Sequence, residues 1–255
     1  MTHTSTMIVN SLPVARPGAD RVLEAARKAL VSEGAHVMPA VATKSVLGVT
    51  EGEWQRFAKH WETLSSDRYA SEHGTCRLRR YGHLALDTAT RRMRLLSQDS
   101  FVQPENSNPL YVGRDRRFAP LTDSFVADPV FRAVSALLAG VATALDDPAE
   151  WDVKVHPFRV LASTTAQGLP APEGRHRDGV TLVSSLLINR RNAAGGQSSV
   201  FDPDGNRLLA TTLSEPGDLL LGDDRRTLHD VSAVRPARPN SSGVRDVLVV
   251  TFTPR

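Results

Sequence analysis

The sequence predicts a mainly β chain with flanking helices, an α+β arrangement in which an antiparallel sandwich or barrel is braced by helical material. Helical periodicity is concentrated before Trp151. After it come short runs of strand length, divided by Gly, Pro and Asn turn signals. The size fits one unit: 255 residues at 40% apolar content can bury one substantial core. Residues 1–255 therefore read as a single domain, with 1–150 bracing a core formed by 151–255.

Taken in order, Asp20 to Gly34 places Val22, Leu23, Ala26 and Leu30 on one helical face and ends on a glycine suited to a left-handed stop. Thr50 and Glu53 form a T-x-x-E capping box ahead of Trp54, Phe57, Ala58, Trp61 and Leu64, an apolar stripe that reads as core. Arg77 to Leu86 and Arg92 to Leu96 read as strands joined near Asp87-Thr88. Asp128-Pro129, an N-cap with proline at the first helical position, opens a helix carrying Phe131, Val134, Leu138, Val141 and Leu145, expected to pack across a sheet. The later strands are Val153 to Leu161, Thr181 to Ile188, Ser198 to Phe201, Asp218 to Leu221, His229 to Val234 and Asp246 to Phe252. Turn signals stand between them at Pro170-Ala-Pro172, Gly195-Gly196, Pro203-Asp-Gly205, Pro216-Gly217 and Asn240 to Gly243.

Composition narrows the function classes. The lone thiol, Cys76, excludes an internal disulfide and a cysteine-rich zinc site and reads as a packing residue in a reducing compartment, so a cytoplasmic location is expected. No apolar run suits secretion or a membrane span. The net charge is only +3, yet arginines crowd at Arg77, Arg79, Arg80, Arg91, Arg92 and Arg94, and again at Arg114, Arg116 and Arg117. Such clusters fit an anion site better than nucleic acid, which needs a broader basic face with aromatic platforms. Most of them read as solvated or structural, with one or two facing a ligand carboxylate.

The segment that carries chemistry is His176-Arg177-Asp178, followed by His229 and Arg245. Two neutral imidazoles and one carboxylate on one face of Fe(II) leave three adjacent positions open for a bidentate cosubstrate and O2. H-x-D lets a strand end and the turn after it, here with Gly179, aim two ligands at one metal, while a distant strand supplies the third. Alone the motif is weak in a chain with eight histidines, where a surface His-Asp pair is the plain alternative. Its conjunction with a later-strand histidine and an arginine opening the final strand is stronger, because a guanidinium fork matches the distal carboxylate of 2-oxoglutarate. Asp246, the next residue, is expected to face the other way.

His156-Pro-Phe-Arg159, Pro172-Glu-Gly-Arg-His176-Arg-Asp178-Gly179, Asn189-Arg-Arg-Asn, Gly195-Gly-Gln-Ser-Ser, Asp223-Asp-Arg-Arg-Thr-Leu-His229-Asp230 and Arg245-Asp-Val-Leu-Val together resemble the bacterial 2-oxoglutarate/Fe(II) dioxygenase family that includes L-isoleucine 4-hydroxylase. Upstream, Arg77-Leu-Arg-Arg-Tyr81, Gln103, Asn108-Pro109 and Arg117-Phe-Ala-Pro-Leu121 are similar to the N-terminal half of that family. The resemblance implies a double-stranded β-helix, the cupin-like jelly roll, with helices on one sheet. It implies His176, Asp178 and His229 as ligands of Fe(II), Arg245 as partner of the 2-oxoglutarate C5 carboxylate, and O2 as co-reactant. It also implies hydroxylation of a small L-amino acid or amino acid derivative at an unactivated C–H bond, with release of succinate and CO2.

His156 and Arg159 are candidates for the cosubstrate pocket, but their strand parity is opposite, so at most one should point inside. A zwitterionic substrate needs a cation for its carboxylate and an acceptor for its ammonium, for which Arg79 and Gln103 are the candidates. Two other readings stay open: an oxygenase tailoring a natural-product intermediate, and a non-oxygenase cupin-like metal-binding protein with no need of Arg245. The expected partner is a small amino-acid-like molecule, with no nucleic acid and no membrane; a homodimer is admitted.

Overall fold

The structure, a computed structural model, describes residues 8–9, 11–13, 19–97 and 115–255. Its helices are α1 (Ala19–Glu33), α2 (Ala40–Leu47), α3 (Glu51–Ala58), α4 (Arg68–Ser71), α5 (Asp123–Ala127) and α6 (Pro129–Ala142). Its strands are β1 (Ile8–Val9), β2 (Ala35–Met38), β3 (Ser65–Ser66), β4 (Cys76–Arg79), β5 (Gly82–Asp87), β6 (Met93–Leu95), β7 (Glu150–Ala162), β8 (Leu182–Arg191), β9 (Ala193–Gly195), β10 (Ser198–Phe201), β11 (Arg207–Thr211), β12 (Leu219–Asp223), β13 (Leu228–Val231), β14 (Val234–Pro236) and β15 (Gly243–Pro254).

The helix signals act where the sequence places them. Thr50 accepts the Glu53 backbone N–H and Glu53 accepts that of Thr50, closing the capping box at the start of α3. The Asp128 carboxylate accepts the Val130 N–H at 2.8 Å, with Pro129 in the first turn of α6.

Among the described residues the main sheet has ten strands, ordered β1-β6-β5-β7-β15-β8-β12-β2, with β4 also pairing β7 and β3 pairing β4. The strand expected over Arg77 to Leu86 is thus two. β4 pairs with Phe158 to Leu161 and β5 with Glu150 to Val155. Pro157, which has no N–H to offer a neighbour, lies between those stretches. β5 must begin on glycine, since a Cβ on Gly82 would lie 2.2 Å from Leu121 Cδ1.

Period-two alternation sorts the sheet into two buried faces. One face carries Val153, Val155, Leu182, Leu186, Leu219, Leu221, Leu248, Val250 and Phe252, packed with Leu30, Trp54, Phe57, Trp61 and Phe131 of the helical layer. The other carries Leu187, Leu220 and Val247, which meet Val200. Val200 belongs to the smaller sheet β11-β10-β13, beside which β14 pairs with β9. Helices on one face and a second sheet on the other make a jelly roll, its main sheet joining strands from both 1–150 and 151–255. The run expected over His229 to Val234 divides into β13 and β14. Cys76 is exposed at the start of β4 and is not a packing residue. Among the described residues no helix is long and apolar enough to cross a membrane.

Phe252 is fully buried, with its ring edge-on to Trp151 at 5.8 Å. Phe252→Ala should cost about 3 to 5 kcal/mol in denaturant unfolding. A loss below about 1 kcal/mol would mean that this face does not hold the core together.

Candidate active site

Between the two sheets lies a cavity of about 160 Å³. His176, Asp178 and His229 converge at its wall, each offering a donor atom within 4.8 Å of the others. His176 Nε2 is 3.8 Å from Asp178 Oδ1, and His229 Nε2 is 3.7 Å from Asp178 Oδ2. The backbone fixes this meeting. His176 and His229 exchange N–H···O=C bonds of 3.0 and 2.9 Å, an isolated antiparallel bridge that sets the imidazoles side by side. The Gly174 carbonyl accepts from His176 Nδ1 at 2.8 Å, which leaves Nε2 with a free lone pair. Burial lowers His229 to about 4, against the pull of Asp178, so its ring is neutral at ordinary pH. Arg177 turns away, its Nε donating to the Thr227 carbonyl, and Gly179 takes a φ of 75° directly after the carboxylate.

A residue that sequence reasoning missed ties these parts together. The buried carboxylate of Asp224, just past β12, accepts the backbone N–H groups of Asp178, Gly179 and Val180 at 3.2, 2.7 and 3.0 Å. Its Oδ1 also lies 3.6 Å from His229 Nδ1. Burial first, and the nearby Asp178 carboxylate second, raise Asp224 to about 6. Glu173 was given no role either, yet it lines the cavity with Oε1 at 3.6 Å from His176 Nε2.

Arg245 projects from β15 into the same cavity and is 1% exposed. Its Nε and Nη2 have no hydrogen-bond partner among the described residues. Burial, then the neighbouring Arg190, pushes its guanidinium down to about 10. The Gly195-Gly196 turn closes over it: a Cβ on Gly196 would stand 3.1 Å from Arg245 Cδ. Two residues further on, the buried Ser198 Oγ lines the cavity and lacks a partner among the described residues. An orphaned guanidinium edge and a hydroxyl suit a carboxylate, so these residues fit 2-oxoglutarate as the converging triad fits a metal.

The remaining expected residues divide. His156 points into the cavity from β7, stacked with Tyr81 at 5.0 Å and Phe158 at 5.8 Å. Arg79 lines it from β4. Arg159 does not: it lies on the other face of β7 and forms a bidentate pair with Asp246 at 2.7 and 2.8 Å, so strand parity removes it from the cosubstrate set. Gln103 lies outside the described residues.

A jelly roll in which two imidazoles and one carboxylate converge beside a buried arginine with no acid paired to it among the described residues has the build of a non-haem iron oxygenase. Comparison with known proteins is more specific: the chain belongs to the 2OG-Fe dioxygenase family, whose profile matches residues 58–251. It is therefore an oxidoreductase of a family that uses Fe(II), 2-oxoglutarate and O2, and not a cupin-like protein that merely binds metal. L-isoleucine-4-hydroxylase of Bacillus thuringiensis is 23% identical over 194 residues, covering 74% of this chain and 78% of that protein. A BsmA homologue from Methylobium petroleophilum matches with a TM-score of 0.83 at 29% identity, over 91% of this chain and 93% of that one. IDO from Bacillus thuringiensis gives 0.75 at 18% identity, over 91% and 96% of the two chains.

If Asp224 orients both the Asp178 turn and His229, Asp224→Ala should weaken Fe(II) or Mn(II) binding by about ten- to a hundredfold in calorimetric titration, as loss of a partner that orients metal ligands does elsewhere. An affinity equal to that of the parent would show that it orients neither.

Proposed function

We propose that this dioxygenase hydroxylates a small L-amino acid or amino acid derivative at an unactivated C–H bond, with His176, Asp178 and His229 holding Fe(II) and Arg245 with Ser198 receiving the C5 carboxylate of 2-oxoglutarate. The observation that carries this reading is Arg245: a guanidinium 1% exposed, with two nitrogens lacking a partner among the described residues, in the same cavity as the convergent donors. A buried cation left so is costly, and a diacid that reaches from it to the triad relieves the cost. The hydroxylase named among the relatives supports an amino acid as substrate.

When bound, the iron with 2-oxoglutarate and O2 supplies an oxidant that places one oxygen atom in a C–H bond while the cosubstrate becomes succinate and CO2. The chain's own residues bind, orient and exclude water. Val183, Val200, Leu220, Val247 and Val249 line the cavity with apolar surface. That surface keeps the space between Arg245 and the triad dry, which strengthens the guanidinium's hold on a carboxylate. On the β4 side, Arg79 offers a clamp for the substrate carboxylate, so that the position of one C–H bond decides what is hydroxylated.

Arg245→Met should raise the KM for 2-oxoglutarate by a factor worth about 2 to 5 kcal/mol with iron affinity nearly unchanged, and Arg245→Lys should recover only part of the loss. A variant whose cosubstrate dependence equals the parent's would place 2-oxoglutarate elsewhere. Across a panel of free and N-substituted amino acids, each acid should stimulate succinate formation more than its own methyl ester. Equal stimulation by acid and ester would remove Arg79 as the clamp.

A further inference from the structure

Strand register gives Arg245 a neighbour of like charge. In the β8–β15 ladder Arg190 stands directly opposite Arg245, and on the β7 side the residue opposite is Val160. Residues directly opposite share a face of the sheet, so two guanidinium groups lie side by side at the Arg245 end of the cavity. The acid nearest in sequence cannot answer them, because Asp246 lies on the other face, where Arg159 and Asn189 donate to its two oxygens. Like charges placed opposite one another destabilise a ladder, and the cost grows when one of them is as buried as Arg245.

Arg190 is held in this position by the turn that covers Arg245. Its Nη2 donates to the Gly195 carbonyl at 2.6 Å, while Nη1 is buried and has no hydrogen-bond partner among the described residues. Gly196, at a φ of 65°, closes over both arginines: a Cβ there would stand 3.1 Å from Arg245 Cδ and 3.3 Å from Arg190 Nη1. A glycine at this point lets the two side chains converge. Burial lowers the Arg190 guanidinium from its usual range, with no carboxylate among the described residues opposing the shift. Arg190 does not itself line the cavity. It stands behind Arg245, and its charge is felt by whatever Arg245 holds.

On the proposed function above, in which Arg245 receives the C5 carboxylate of 2-oxoglutarate, we infer that Arg190 is a positioning residue for that carboxylate. The ladder holds its positive charge against Arg245, so one carboxylate at Arg245 answers two cations, and binding of the diacid removes a repulsion that the free chain carries. The charge acts through space and needs no contact with the cosubstrate. Arg190 therefore adds to the selection of a keto acid with a distal carboxylate over one without, by a modest factor because its own side chain is only half-buried.

Anaerobic calorimetry on the full Fe(II)-loaded chain tests this with 2-oxoglutarate and with 2-oxopentanoate, which keeps the chelating keto acid but has a methyl group in place of the distal carboxylate. In Arg190→Gln, with Arg190→Met as a second neutral variant and thermal melting as the check on folding, 2-oxoglutarate should bind about three- to tenfold more weakly while 2-oxopentanoate binds as in the parent. Arg190→Lys, which restores the charge without the planar fork, should recover most of the loss, and added salt should narrow the gap between parent and neutral variant. A loss below about threefold, or an equal loss for both keto acids, overturns the inference. So does a Lys variant as weak as the neutral ones or a gap indifferent to salt, since either would mean that the guanidinium serves only to tie down the Gly195 turn. Failure of the underlying reading is visible separately: the parent would then bind the two keto acids alike, with no cation holding the distal carboxylate.

Discussion

Every side chain of β15 between Arg245 and Phe252 lies on one of two buried faces, and that constraint organises the rest of the molecule. The strand is paired on both sides, with β7 along its whole length and with β8 over most of it, so neither edge is open to water. Alternation sends Arg245, Val247, Val249 and Thr251 to the cavity and Leu248, Val250 and Phe252 to the helices. Asp246, between the two sets, would be a stranded buried charge on the helical side. Its bidentate pair with Arg159 in register on β7, with Asn189 Nδ2 at 3.4 Å, resolves this. The arginine that looks like a cosubstrate ligand by sequence is therefore needed on the other face, where it lets Arg245 and Asp246 be neighbours without pairing with each other.

The second sheet supplies what the first cannot. Its strands are short, and the segment carrying His176 and Asp178 belongs to no named strand, so regular pairing does not fix the donor positions. The backbone exchange between His176 and His229 fixes two of them. The Asp224 carboxylate fixes the third by gathering three successive N–H groups of the Asp178 turn. A carboxylate accepting several backbone N–H groups is rigid, and here the same group also faces the far nitrogen of His229. The rigidity of the triad is thus set by a residue that does not itself line the cavity.

Much of this is legible in the sequence where one local rule decides the outcome. The capping box at Thr50 and the Asp128-Pro129 start fix helix ends because each is satisfied within four residues. The opposite facing of Arg245 and Asp246 follows from strand parity alone. Legibility ends where the partner is set by tertiary packing. The break between β4 and β5 depends on Pro157 in a strand seventy residues later and on Leu121 closing over Gly82. Ser198 reads as the first residue of a strand, and Asp224 only as part of the run ahead of His229. Only the arrival of the 178–180 turn at one, and of Arg245 near the other, gives them roles. Parity showed that His156 and Arg159 could not share the cavity, but which of them entered it was set by the register with β15.

On the proposed function two acids share one cavity, and what surrounds each guanidinium keeps them from exchanging places. Arg245 is enclosed by Gly196 and the barrel wall, with Ser198 as its polar neighbour in the cavity and Arg190 behind it. On the proposed function, that arrangement accepts the end of a slender chain whose other end reaches the triad. Arg79 is flanked by two phenyl rings, stacks of aromatic surface continue through His156 to Tyr81, and Arg77, Arg116 and Lys154 add positive charge around it. A planar carboxylate lies well against such aromatic surfaces. On the proposed function, cosubstrate and substrate are told apart by the enclosure of Arg245 and the aromatic flanking of Arg79, two sites that the register of β4, β7 and β15 holds apart.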